Sequence, residues 1–202
     1  DPDTKWVGNE AGVANVTNSN VVSSLDFSVL TDNKDDLATE RFLPTECDFM
    51  MRDRNWFYSE YDVHTVKSVE ELVSLYYYSV GNGANFLINI GPDRRGLLPD
   101  VDARRLLEFG KEIKRRFSQP IPSTWETTEN GIDIKLDGER LINHVVLAED
   151  LTDGESIRAF NLYIKSRMEF RCLFIRKYCI TVYAAKLTGF SQSITLTTCI
   201  PS

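Results

Sequence analysis

Ser68-Val69-Glu70-Glu71-Leu72-Val73-Ser74-Leu75-Tyr76-Tyr77-Tyr78-Ser79-Val80-Gly81-Asn82-Gly83-Ala84-Asn85-Phe86-Leu87-Ile88-Asn89-Ile90-Gly91-Pro92-Asp93 changes its hydrophobic period once, and that change decides the fold class. Val69, Leu72, Val73, Tyr76 and Val80 keep one apolar face at helical spacing. Ser68 and Glu71 stand at the spacing of a capping box, in which two backbone N–H groups at a helix start find side-chain acceptors. Gly81-Asn82-Gly83 then predicts a helix stop. A phosphate-cradle reading of Gly81 to Asn85 fails on position: a cradle follows a strand and opens a helix, whereas this stretch precedes a strand. Ala84 to Ile90 is a nearly continuous apolar run, the pattern of a strand buried on both faces, and Gly91-Pro92-Asp93 ends it.

Further along, the pattern predicts a second helix from about Val101 to Phe117, with Leu106, Phe109, Ile113 and Phe117 as its stripe. The basic clusters Arg94-Arg95, Arg104-Arg105 and Lys114-Arg115-Arg116 lie on or beside its polar face and read as solvated. Ser118-Gln119-Pro120-Ile121-Pro122-Ser123 reads as a linker. Beyond it come short alternating runs: Ile132 to Leu136, Val145 to Ala148, Ile157 to Ile164, Phe170 to Ile175, Tyr178 to Tyr183 and Ser193 to Thr198. Asp137-Gly138, Asp153-Gly154 and Thr188-Gly189 punctuate them, which suggests a small antiparallel sandwich.

Toward the N-terminus, Phe42 to Met51 reads as a short strand, with Glu46 and Asp48 two apart and therefore on one face. Arg52, Asp53, Arg54, Asn55 and then Trp56-Phe57-Tyr58 follow at once. Strand, helix, strand and helix in succession imply parallel βα units. Val13 to Arg41 is polar and aperiodic, and reads as a long loop. Before it, Lys5-Trp6-Val7-Gly8-Asn9-Glu10-Ala11-Gly12 sets one carboxylate between two glycines at the end of an apolar run. Taken alone, that reads more readily as a turn with a solvated Glu.

Composition narrows the function classes. The 202 residues are 42% hydrophobic, ordinary for one large or two small globular units. A net charge of −7 and a pI near 5.0 speak against nucleic acid as a partner. The apolar stretches are too short to span a bilayer, so no membrane partner is expected. Cys47, Cys172, Cys179 and Cys199 form no CxxC and the chain has only His64 and His144, so neither a metal nor another cofactor is expected. The three late cysteines sit in strand-like runs and read as small buried thiols. Asn15-Val16-Thr17 is a glycosylation sequon, which matters only in a secreted protein. No secretory leader is visible, and Asp1-Pro2-Asp3 reads as the interior of a longer polypeptide.

In a parallel α/β barrel the active site lies at the C-terminal ends of the strands. Glu10, the Glu46/Asp48 pair with the Trp56 loop, and Gly91-Pro92-Asp93 all sit at such ends. Carboxylates beside exposed aromatics are what glycoside hydrolysis requires. The competing structural reading buries Trp56 and Phe57 in the core and pairs Glu46 with Arg52 or Arg54.

Trp6-Val7-Gly8-Asn9-Glu10, Leu43 to Asp48, Asn55 to Tyr58, Lys67 to Val73 and Gly83 to Pro92 together resemble the α-L-fucosidases of glycoside hydrolase family twenty-nine. The resemblance is closest to the branch preferring α-1,3/1,4-linked fucose. It covers about Asp1 to Phe117, and Leu141 to Phe160 is similar to the family's C-terminal β domain, while residues from about Lys165 onward match poorly. It implies a fold of α/β plus all-β class: a partial (β/α)8 TIM-type barrel in residues 1–119, then a small antiparallel β-sandwich in residues 124–202. It also implies a retaining enzyme with Glu10 as acid/base and Trp56, with Glu46, in the sugar-contacting wall. The implied partners are a fucosylated oligosaccharide or glycoconjugate and the missing N-terminal half of the barrel, which in the family carries the nucleophilic Asp and fucose-binding histidines. The implied setting is secreted, periplasmic or lysosomal. Lys5 where arginine is usual, Arg52-Asp53-Arg54-Asn55 where Arg-Pro-Gly is usual, and few aromatics in Val13–Arg41 depart from the family pattern. The alternative from another class is a non-catalytic carbohydrate-binding or interaction remnant.

Overall fold

A computed structural model describes residues 3–16, 18–25, 35–129, 131–141, 144–147, 159–164, 167–173, 180–181 and 190–199. The chain divides into two compact units, Asp1–Gln119 and Pro120–Ser202.

The first unit runs β1 (Lys5–Trp6), β2 (Val21–Leu25), β3 (Asp35–Phe42), β4 (Thr45–Met50), α1 (Val69–Ser79), β5 (Ala84–Asn89) and α2 (Asp100–Phe117). β1, β4 and β5 form a parallel sheet with β4 in the middle. Among the described residues the α/β unit is this three-stranded sheet with two helices, and no closed barrel is formed.

Strand β4 shows why the sheet has two unlike faces. Its residues alternate between buried and half-buried from Thr45 to Met50. Cys47 and Phe49 point into apolar packing. Phe49 joins Met51, Leu72, Val73, Tyr77 and Phe109 in a core between the sheet and both helices. Phe86 of β5 packs 4.8 Å from Phe49 and 5.5 Å from Phe109, ring centre to ring centre. The opposite face carries Glu46 and Asp48. Burial pushes the Cys47 thiol up to about 11, and the neighbouring Asp48 charge adds to this.

Helix α1 starts on the capping box expected of it. The Ser68 hydroxyl accepts the Glu71 N–H at 3.1 Å, and the Glu71 carboxylate accepts the Ser68 N–H at 2.6 Å. The helix ends in a 3-10 turn, where Gly83 at φ 70° donates its N–H to the Val80 carbonyl at 2.8 Å. Two expectations are corrected. β5 is not buried on both faces: it is the outer strand of the sheet, and Leu87 on its inner face is 41% exposed. Nor is Val13–Arg41 irregular throughout, since β2 and β3 pair antiparallel within it. The large apolar residues of that ribbon, Val21, Val22 and Leu25 on one strand and Leu37 and Phe42 on the other, fall in no regular alternation, so no strand period announced it. Residues 26–34 of that stretch lie outside the described residues.

The N-terminal end of the sheet is tied by a buried amide. Asn20, 2% exposed, accepts from the Thr45 N–H at 3.1 Å and the Thr45 hydroxyl at 2.8 Å, and donates to the Gly83 carbonyl at 3.1 Å. One side chain thus joins the starts of β4 and β5.

The second unit is all β: β6 (Ser123–Thr128), β7 (Gly131–Leu141), β8 (Val146–Leu147), β9 (Ala159–Ile164), β10 (Arg167–Leu173), β11 (Ile180–Thr181) and β12 (Phe190–Cys199). A five-stranded antiparallel sheet has the order β10-β9-β12-β7-β6, and β11 pairs with β8. β6 lies where the sequence reading has no strand, because its residues are exposed throughout and follow the linker directly. The expected burial of Cys172, Cys179 and Cys199 falls on side chains outside the described residues.

Candidate active site

Three segments meet at the C-terminal ends of the parallel strands. The first is the bulge that carries Glu10. The Val7 N–H bonds the Glu46 carbonyl at 2.9 Å and the Gly12 N–H bonds the Asp48 carbonyl at 3.1 Å. The chain therefore advances five residues (7 to 12) while β4 advances two (46 to 48), which extrudes three. Gly8 at φ 87° turns the chain out, and Gly12 at φ 72° brings it back. A Cβ at Gly12 would meet the Phe49 ring at 2.8 Å, so the return point has no room for a side chain. Asn9 replaces the lost strand bonds: its carbonyl oxygen accepts the Ala11 N–H at 3.0 Å, and its amide donates to the Val13 carbonyl at 2.9 Å. Glu10 stands exposed on this clamped bulge.

The second segment, residues 51–62, follows β4. Arg52, 6% exposed, donates through Nε and Nη2 to the two Asp102 oxygens at 3.0 and 2.5 Å. Its Nη1 donates to Asp62 at 2.7 Å and to the Ser59 carbonyl at 2.8 Å. Asn55 completes the set by donating to the other Asp62 oxygen at 3.0 Å. These bonds tie the segment to the first turn of α2. They also set the charges. The Asn55 amide and the Arg52 guanidinium hold the Asp62 carboxyl below its usual range against the opposing effect of burial. The Asp102 bonds raise Arg52 further above its already high value.

The third segment, from the last residue of β5 onward, seats the second. Asn89 donates to the Trp56 carbonyl at 2.8 Å. A Cβ at Gly91 would lie 2.4 Å from the Tyr58 nitrogen and 2.7 Å from the Phe57 carbonyl carbon, so only glycine lets the two backbones touch. Held in this way, the Trp56 indole N–H donates to Glu10 Oε2 at 3.2 Å.

Of the residues singled out from sequence, Glu10 and Trp56 are brought together. Glu46 is half-buried on the inner face of β4, in register with Trp6 and Asn85, and among the described residues makes no hydrogen bond to Glu10 or Trp56. Arg52 pairs with Asp62 and Asp102, which removes the Glu46–Arg52 reading. Phe57 is 85% exposed, so it is not core. Each nearby aspartate is committed elsewhere. Asp48 accepts the Trp6 indole N–H at 2.5 Å, Asp62 serves Arg52, and Asp93 binds Arg95 and the local turn, with Arg95 holding its carboxyl below the usual range. Nor are the basic clusters all solvated. Arg116 reaches the Tyr77 hydroxyl at 3.0 Å, and Arg105 donates to the Lys67 carbonyl. The roles of Asn9, Asn89 and Gly91 were missed. Gly91 is the one with a visible signal, a glycine before proline at a strand end.

The alpha-L-fucosidase family model matches residues 5–116. Alpha-L-fucosidase 1 of Arabidopsis thaliana is 31% identical over 122 residues, covering 58% of this chain and 24% of that protein. A glycoside hydrolase 29 family member from an unknown rumen bacterium has a TM-score of 0.80 at 21% identity, over 98% of this chain and 38% of its own. A Ruminococcus gnavus GH29 fucosidase solved in complex with fucose has a TM-score of 0.74 at 21% identity, over 98% of this chain and 48% of its own. The chain spans 29% and 24% of the length of the two curated relatives it matches. With a match that takes in more than half of its 202 residues, both Glu10 and Trp56 included, the chain belongs to the alpha-L-fucosidase family.

Proposed function

We propose that residues 1–119 are the C-terminal part of a (β/α)8 catalytic barrel, that residues 124–202 are a β-sandwich domain, and that the assembled protein is a retaining alpha-L-fucosidase acting on α-1,3/1,4-linked fucose of glycans. The observation that carries this reading is the Glu10–Trp56 pair at the C-terminal strand ends, where a barrel keeps its chemistry. In the proposed mechanism a carboxylate from the rest of the barrel attacks the anomeric carbon while Glu10 gives its proton to the departing glycosidic oxygen. Glu10 then takes a proton from the water that hydrolyses the fucosyl-enzyme. The Trp56 bond occupies Oε2 and leaves Oε1 for proton transfer. The indole face forms part of the sugar wall, and Glu46 contributes deeper on the inner face of β4.

Retaining chemistry needs two carboxyl groups about 5–5.5 Å apart. Asp48, Asp62 and Asp93 are each engaged by other groups, which supports a nucleophile from outside these 202 residues. The chain alone is therefore expected to be inactive on an aryl α-L-fucoside, and turnover is expected when the first half of the barrel is supplied. Glu10→Gln should then slow the assembled enzyme by roughly 10²–10⁴-fold. Turnover by the chain alone, or an unchanged rate in that variant with a poor leaving group, refutes the assignment. Absence of turnover in the assembled protein favours the non-catalytic carbohydrate-binding remnant.

A further inference from the structure

We infer that Asn15 is the acceptor of an N-linked oligosaccharide, carried at the end of the parallel sheet opposite the Glu10–Trp56 pair. The inference stands apart from the acid/base reading of Glu10. Asn15-Val16-Thr17 is the only Asn-x-Ser/Thr tripeptide in the chain, and its middle residue is not proline. Such a tripeptide carries a sugar only where the fold tolerates a bulky polar group, which means an exposed turn or loop.

Asn15 lies on such a turn. Ala14 is buried at 2% exposure, Asn15 is exposed, Val16 is 61% exposed, and Asn20 is buried again at 2%. The chain thus leaves the interior and returns to it within six residues (14 to 20). The Asn18 N–H donates to the Asn15 carbonyl at 2.9 Å, the closing bond of a tight turn. That bond uses the main chain of Asn15, so a sugar on Nδ2 leaves it intact. Both sides of the turn are pinned. The Ala14 N–H donates to the Tyr78 carbonyl at 3.0 Å, and the Asn82 amide donates to the Ala14 carbonyl at 2.8 Å. Beyond the turn, Asn18 accepts the Thr45 hydroxyl at 2.9 Å.

The same contacts fix where the turn lies. Thr45 opens β4, Tyr78 is in the last turn of α1, and Asn82 stands just before β5. In this parallel sheet those are the N-terminal ends of the strands, whereas Glu10 and Trp56 meet at the C-terminal ends. An oligosaccharide on Asn15 is therefore attached at the end away from the Glu10–Trp56 contact and leaves that contact undisturbed. The donor class is a lipid-diphosphate oligosaccharide. Asn15 Nδ2 forms a bond to the anomeric carbon of its first sugar, and the bond from that carbon to the diphosphate oxygen breaks. The diphosphate keeps the electron pair, and the amide proton passes to the transferring enzyme.

The test uses the full 202-residue chain, produced behind a cleavable leader in insect cells. Its intact mass is read before and after peptide-N-glycosidase treatment. One oligosaccharide per chain is expected, lost on treatment with the Asn15 amide hydrolysed to a carboxyl. Thr17→Ala should abolish the glycan, while Thr17→Ser, which keeps the hydroxyl the sequon needs, should retain it. Chain held inside the cells is read in the same way, since transfer precedes export, so a folding defect does not mask the result. Circular dichroism and tryptophan emission of the glycosylated chain should match those of the Thr17→Ala chain. A chain that enters the secretory pathway and stays bare, a glycan that persists in Thr17→Ala, or an altered tryptophan emission on glycosylation overturns the inference. Glu10→Gln leaves the sequon intact, so failure of the turnover assay and failure of this one are told apart.

Discussion

Asp102→Ala removes the partner that takes two of the four bonds made by a buried arginine. Asp102 is fully buried, and Arg52 loses the Nε and Nη2 contacts at 3.0 and 2.5 Å while keeping Asp62 and the Ser59 carbonyl. Breaking a buried ion pair on one side costs about 3–5 kcal/mol, because the remaining charge keeps its desolvation penalty without the compensating bonds. Asp62 still offsets part of the charge, so the expected loss is near the lower end, ~3 kcal/mol. Urea unfolding of the 202-residue chain, followed by circular dichroism and tryptophan fluorescence, measures it. With a slope of about 1–3 kcal/mol/M, the midpoint should fall by roughly 1–3 M. Replacing the whole group by Arg52→Met, Asp62→Asn and Asp102→Leu should cost less than Asp102→Ala alone, since no uncompensated charge remains buried. A midpoint lowered by less than about 0.3 M in Asp102→Ala would refute the claim that this network holds the Trp56 segment to α2.

Three other perturbations probe the same frame. Gly91→Ala should destabilise the first unit by about 1–3 kcal/mol and break the Trp56–Glu10 contact, read as a change in Trp56 fluorescence, because its Cβ would stand 2.4 Å from the Tyr58 nitrogen. Asn20→Ala, which removes the acceptor of the buried Thr45 N–H and a donor to the Gly83 carbonyl, should cost about 3 kcal/mol in chemical unfolding. The Asp62 carboxyl is depressed in the folded chain, so its stabilising effect is full above about pH 4 and is lost as pH falls through the folded value. Asn55→Ala removes the largest cause of that depression, and should move the acid-unfolding midpoint to higher pH.

What was legible in the sequence is what local chemistry controls. The Ser68/Glu71 box, the glycine stop at Gly83 and the alternation of β4 each depend on neighbours a few residues away. Strands whose stability comes from pairing alone were harder. β3 is largely polar, the apolar residues of β2 do not alternate, and β6 is exposed along its whole length, so none of them offers a hydrophobic period. β5 misled for the opposite reason: its apolar run is real, but whether both faces are covered depends on what lies beside it, and composition does not report that. At the site, the residue types of Glu10 and Trp56 were readable, but their contact was not. It depends on a bulge counted in hydrogen bonds and on a glycine 35 residues beyond Trp56 (91 − 56) whose missing Cβ makes the seat.

The arrangement also explains how the Glu10–Trp56 contact is held. Everything that fixes Glu10 and Trp56 comes from the outer face of the sheet or from its loops. Phe49 buttresses Gly12, Asn9 clamps the bulge, and the Arg52 network and Gly91 seat the tryptophan. The inner face contributes little to that scaffold. There Asp48 is tied across to Trp6, Glu46 makes no hydrogen bond to the pair among the described residues, and Leu87 stays open to water. A site whose supports are separate from its open face keeps its geometry before that face is covered. Under the proposed reading, completing the sheet would add the nucleophile and the fucose pocket without rebuilding the Glu10–Trp56 pair.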